Sequence, residues 1–199
     1  MIHQQLNPDK SMSTNHLSAE TKTEQSVDRT QLLQDLDQTE QEFYTILASF
    51  APAQVNAVPF EGSWTAGQVA EHILMSESGI PEAVLGSTEE TDRPVAQYVP
   101  VIESIFLDFA AKYQSPEFII PSSGPHDQQE LLKAFKTERA AIRVIAANED
   151  LTLTCTDFEF PQIANLTRWE WLQFVLCHSK RHARQLRNIS EKVSSRTDS

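Results

Sequence analysis

The sequence is short of several things, and each shortage excludes something. Cysteine occurs only twice, as Cys155 and Cys177, with no Cys-x-x-Cys pair. That excludes a disulfide framework and fits a reducing compartment. Cations are outnumbered, with 16 Lys and Arg against 28 Asp and Glu, for a formal charge of -12. A chain this acidic repels nucleic acid and anionic membranes unless it carries a focused basic patch. The one basic group, Lys180, Arg181, Arg184 and Arg187, lies near the end of a helical pattern, where the macrodipole alone favours cations. No apolar run approaches the ~20 residues of a membrane span. The N-terminus lacks the apolar stretch of a secretory signal. The expected location is therefore the cytoplasm, with neither nucleic acid nor membrane as a partner.

What is present is helical periodicity. Residues 1–27 are polar, hold His3 and His16, and include Met12 as a second candidate start. They cannot bury enough surface to offset ordering entropy, so a disordered tail is expected. From Asp28 to Phe50, Leu32, Leu36, Phe43, Leu47 and Phe50 form one stripe, ended by Ala51-Pro52. A second helix is expected over 65–85, capped by Ser63 or Thr65, with Ala66, Val69, Ile73 and Ile80 inward. Trp64, just before it, is placed to fold over the first turn. Residues 95–113 predict a shorter helix, and Phe118-Ile119-Ile120 is expected to tuck into the core. Asp127 to Asn148 carries Leu131, Phe135, Ile142 and Ile145, with Glu138 inside the stripe. His126, just before it, reads as a cap or surface residue. Leu151 to Ala164 alternates briefly at period two, but a lone strand has no partner, so an ordered loop and no sheet are expected. The expected fold is all-α: a four-helix up-and-down bundle over 28–193, one extra short helix in the middle connection, and a disordered tail over 194–199.

The stretch Thr167 to Ile189 contains neither Gly nor Pro. Thr167 with Glu170 has capping-box spacing. Trp171, Val175, His178, His182, Gln185 and Ile189 share one face of the helix. His178 and His182 are thus one turn apart, about 6 Å along the axis, within reach of a single metal ion. The third ligand must come from elsewhere, and His72, beside the apolar face of the second helix, is the candidate. Three neutral imidazoles suit zinc, nickel, manganese or another divalent transition ion. Taken alone, each histidine also reads as an ordinary core or boundary residue. This is not the metalloprotease His-Glu-x-x-His pattern, since Ser179 stands where that motif has its glutamate.

Two motifs about a hundred residues apart raise the reading. SWTAGQVAEHIL resembles the start of helix two in the DinB-like, or YfiT-like, family of metal-dependent enzymes. LTRWEWLQFVLCHSKRHARQL is similar to that family's helix four, and IFLDFAAKYQSPEFIIP looks like one of its sub-groups. The resemblance covers residues 28–191. It implies a metal triad at His72, His178 and His182, a left-handed up-and-down bundle, a homodimer, and a metal at one end of a pocket between helices. It also implies either transfer of a low-molecular-weight thiol to an electrophile or metal-dependent hydrolysis of a small amide or ester. Trp64, Glu71, Glu138 and Gln185 are the candidates for shaping the pocket or holding a ligand histidine. The competing reading is a non-catalytic bundle that acts as an interaction protein, its histidines satisfied by one another and by water.

Overall fold

The computed structural model describes residues 27–195. Of the expected tails over 1–27 and 194–199, residues 1–26 and 196–199, with His3, His16 and Met12, lie outside the described residues, while Ser194 belongs to the last helix. Four long helices carry the fold: α1 (Arg29–Ala48), α3 (Ala66–Ser78), α6 (Gln128–Asn148) and α7 (Arg168–Ser194). Three short ones join them: α2 (Pro52–Val55), α4 (Ile80–Leu85) and α5 (Val99–Phe106). Helices α1 and α3 each pack against both α6 and α7, so α1 lies diagonally across from α3 in a four-helix bundle. Among the described residues no helix is long and apolar enough to cross a membrane.

The helices begin where side-chain oxygens can take up free backbone N–H groups. Asp28 accepts from the N–H of Gln31, and Asp127 from those of Gln129 and Glu130. Thr65, rather than Ser63, caps α3 and forms a box with Gln68. Thr167 and Glu170 form the box on α7. The predicted helix over 65–85 is broken in two. It stops at Ser78 and restarts at Ile80, because Pro81 has no N–H to donate and its ring clashes with a helical carbonyl at Glu77. The shorter helix ends at Phe106 rather than continuing to Tyr113. Asp108 turns the chain there by accepting from the N–H groups of Ala110 and Ala111.

The expectation of no sheet is wrong. Strands β1 (Thr88–Glu89), β2 (Thr154–Phe160) and β3 (Ala164–Thr167) form an antiparallel sheet in the order β1-β2-β3. Cys155 pairs with Thr88, and Phe160 with Ala164. Gln162, with φ of 64°, makes the turn between β2 and β3. The partner strand β1 is two residues of a polar loop, with no periodicity to reveal it. Phe118 and Ile120 do not enter the core either; they are 76% and 51% exposed.

The buried apolar residues form two clusters. One holds Leu32, Leu36, Ile80, Ile142, Leu172 and Leu176; the other holds Phe43, Leu47, Ile73, Phe135, Leu186 and Ile189. Burying each such side chain contributes roughly 1.5–3 kcal/mol before conformational entropy is charged. Between the clusters every long helix turns a polar side chain inward: Thr39, Glu77, Arg139 and Ser179. Arg139 Nη2 donates to Glu77 Oε1 at 2.7 Å and to Ser179 Oγ. Ser179 Oγ also donates to Glu77 Oε1 at 3.2 Å, and Arg139 Nη1 lies 3.5 Å from Thr39 Oγ1.

Candidate metal centre

His72 comes from the middle of α3, and His178 and His182 come from successive turns of α7. Because α3 and α7 pack directly together, the three rings meet. His178 Nε2 lies 3.3 Å from His72 Nε2 and 3.1 Å from His182 Nε2. The three ligand atoms all fall within 4.8 Å of one another.

The hydrogen bonds on the far sides of the rings settle which nitrogens face inward. His72 Nδ1–H donates to the Ile119 carbonyl at 2.8 Å. His182 Nδ1–H donates to Gln185 Oε1 at 2.7 Å. With Nδ1 protonated in a neutral ring, Nε2 of His72 and of His182 carries a bare lone pair. Burial holds the His72 pKa below its ordinary value, outweighing the Ile119 carbonyl. Burial, then the two neighbouring imidazoles, hold His178 well below. His182 is pushed down to about 3, again chiefly by burial. All three are therefore neutral near pH 7, the form that binds a metal.

The donor set fits a transition ion. Nitrogens about 2.1 Å from one zinc in tetrahedral array stand about 3.4 Å apart. Two of the three spacings, 3.1 and 3.3 Å, are close to that, and the third, between His72 and His182, is at most 4.8 Å. Without an ion, at most one ring, His178, can place a proton between the three lone pairs. Doing so would leave its buried Nδ1 an unpaired acceptor, and holding a metal through Nε2 would leave it an unpaired N–H donor. That atom has no hydrogen-bond partner.

Aromatic rings enclose the site. Trp64 lies over His72, with centroids 5.0 Å apart. Phe174 stacks on His178 at 5.1 Å, and Phe106 meets it edge-on at 5.5 Å. Trp171 packs instead against Phe160 and Phe174. The histidines are 3–6% exposed. The connection after α5 is fastened to both ligand helices. Arg181, beside His182, donates to the carbonyls of Phe106, Asp108 and Ala111. On the other side His72 holds Ile119.

Of the other candidates, Gln185 hydrogen-bonds His182 and Trp64 packs on His72. Glu71 points away from the rings. Its Oε2 accepts from Ser122 N–H at 2.6 Å and from His126 Nε2 at 2.9 Å. Burial pushes the Glu71 pKa up, but these bonds outweigh it and hold the carboxyl below its ordinary value. They line a separate hollow of about 290 Å³ that the triad does not reach. Glu138 is half-buried and makes no hydrogen bond to the triad; Arg139 is the residue that turns inward. His126 is neither cap nor surface residue. Its side chain is buried beside Gly67, where a Cβ would lie 2.7 Å from His126 Cβ. Sequence reasoning missed the Ile119 carbonyl and the group of Glu77, Arg139 and Ser179. The available signal was a polar residue interrupting each apolar stripe at one level of the bundle.

The family model of the DinB superfamily matches residues 35–186. The chain belongs to the DinB superfamily. Metal binding is common in the superfamily, and the histidine cluster is compatible with it. A solved structure, TT2238, described as a four-helix bundle protein, is similar with a TM-score of 0.53 and 19% identity. The match covers 80% of this chain and 98% of that one, and it shows the shared fold. No curated protein matches.

Proposed function

We propose that this DinB-superfamily protein is a metal-dependent enzyme. His72, His178 and His182 hold a divalent transition metal such as zinc, nickel or manganese, and the reaction transfers a small thiol to an electrophile. The observation that carries the reading is the convergence of three neutral Nε2 atoms, two of them oriented from behind by the Ile119 carbonyl and Gln185. A metal bound there supplies Lewis acidity, which brings the pKa of a thiol or water toward neutrality.

The surroundings favour a thiol over a water nucleophile. Hydrolysis of an amide or ester calls for a proton acceptor and donor beside the metal. Among the described residues no carboxylate hydrogen-bonds to the three rings. Glu71 is engaged by Ser122 and His126, and Ser179 is engaged by Glu77 and Arg139. A small thiol, with an ordinary pKa of about 8.5, can give its proton to solvent on entering, and the thiolate then attacks an electrophilic carbon as that carbon's leaving group departs. Phe106, Phe174 and Trp64 keep bulk water from the rings, which strengthens electrostatic interactions inside. The reading places the protein in the cytoplasm, where two buried free cysteines fit, and as a homodimer on the strength of the family resemblance.

One observation favours the non-catalytic alternative: the histidines are almost closed to solvent. The deciding experiment is elemental analysis of untagged protein beside His72→Ala, followed by thiol-transfer and amide- and ester-hydrolysis assays on the loaded protein. About one equivalent of metal in the parent, lost in the variant, with thiol transfer, supports the proposal. Hydrolysis instead of transfer replaces the thiol reading. No metal, and no uptake of added zinc, nickel or manganese, overturns the centre and leaves the interaction protein.

A further inference from the structure

We propose that Arg139, Glu77 and Ser179 form a positioning layer that sets how α3 and α7 lie against one another, and so sets the spacing of His72, His178 and His182. The proposal rests on the metal-centre reading and adds residues to it.

The argument begins with what apolar packing cannot do. The two core clusters above and below the layer are rich in Leu, Ile and Phe, whose attraction is large but non-directional. A helix can shift between such layers at modest expense, and a buried polar contact is what singles out one register. A slip of one residue is about 1.5 Å along the axis. That is a large error against nitrogen spacings of 3.1 and 3.3 Å.

The layer stands where such an error matters. Ser179 follows His178 directly on α7. Glu77 lies five residues beyond His72 on α3, about 7.5 Å along the axis. Glu77 Oε1 accepts from Ser179 Oγ, tying the two ligand helices to each other. Arg139 donates to both from α6 and reaches Thr39 on α1, so one guanidinium touches all three other helices. The Arg139 and Glu77 side chains are 1% and 0% exposed, which makes the layer a fully desolvated ion pair.

Stability does not account for it. Replacing a buried ion pair with apolar side chains of similar volume is often neutral or stabilising. The directional constraint does account for it, and His178 shows the need. His72 and His182 are each oriented by a hydrogen bond at Nδ1, whereas His178 Nδ1 has none. The placement of His178 therefore rests on the Phe174 and Phe106 rings packed on it and on how α7 itself is held, to which Ser179, the next residue, contributes.

The test uses the full chain and Co(II), whose visible spectrum reports ligand geometry. The double variant Glu77→Leu/Arg139→Met removes both charges and fills the space. It should unfold at the same temperature as the parent or higher, yet bind Co(II) at least ~10-fold more weakly with an altered spectrum, the usual scale for losing a residue that orients ligands. Arg139→Lys, which keeps the charge but not the fork, should fall between the two. A folded double variant that binds Co(II) within about twofold of the parent, with the same spectrum, overturns the proposal. Should the double variant fail to fold, Ser179→Ala decides: weaker binding and a changed spectrum support the layer, and unchanged binding and spectrum overturn it. A parent chain that binds no Co(II) refutes the metal centre itself and the layer's role with it, a failure visible before any variant is made.

Discussion

Replacing Glu170 with alanine should cost about 3–5 kcal/mol of folding stability, the range for breaking a buried ion pair from one side. The Glu170 side chain is 0% exposed, and each of its oxygens serves two donors. Oε1 accepts from Arg93 Nη1 at 2.9 Å and from Tyr98 N–H at 2.7 Å. Oε2 accepts from Arg93 Nη2 at 2.7 Å and from Thr167 N–H at 2.9 Å. Arg93 is 15% exposed and can turn to water. Thr167 is fully buried, so its N–H stays unpaired; with the partly buried Tyr98 N–H it leaves two orphaned donors at roughly 1–3 kcal/mol each. The pair sum brackets the range above. Glutamine should not rescue. In either orientation its NH₂ group faces one guanidinium N–H and one backbone N–H. Urea unfolding followed by circular dichroism measures both variants. A loss below about 1 kcal/mol for alanine, or a glutamine variant near the parent, would refute the view that these four bonds act as a buried unit.

The remaining predictions test the site and its supports. Gln185→Ala should weaken metal binding about 10–100-fold while the far-ultraviolet circular dichroism stays unchanged, because the His182 ring loses its orienting acceptor; unchanged affinity in a metal titration would count against that role. Gly67→Ala should cost about 1–3 kcal/mol, since the new Cβ displaces His126 from Glu71; a crystal structure with His126 unmoved would contradict it. Glu42→Gln should change stability by less than about 1 kcal/mol, because its Arg187 partner is 53% exposed. In metal-free protein, burial holds all three histidine pKa values below 6.5, so the unfolded chain takes up protons that the folded chain does not. Stability should therefore fall as pH drops below ~6.5, by up to about 1.4 kcal/mol per pH unit for each histidine. A flat unfolding midpoint between about pH 6.5 and 5 would show that the rings are not buried neutral.

Much of the fold was legible because its signals are local. The stripe of Leu32, Leu36, Phe43 and Leu47 marks α1, and the capping box of Thr167 and Glu170 marks the start of α7. The pairing of His178 with His182 needs only the pitch of one helix. Errors came where the outcome hung on distant partners. The alternation before Ala164 is a strand that pairs with the distant Thr88 and Glu89 as well as with Ala164–Thr167 just after it. The apolar side chains of the Phe118-Ile119-Ile120 run predict a place in the core, but what the site uses is a backbone carbonyl. Glu138 and Arg139 both fit the spacing from Phe135 and both are charged, so nothing local says which one turns inward. Glu77 and Ser179, far away in the chain, made that burial tolerable by bonding it.

The sequence by itself determined the helical class, the places where the long helices start, and a two-histidine rung on α7, because helical pitch and capping are set by residues a few positions apart. Only the tertiary structure decided that His72 completes the cluster, that all three rings are held neutral, and that an ion pair divides the core. Those outcomes depend on which helix faces which, and on desolvation that exists only after the faces have met.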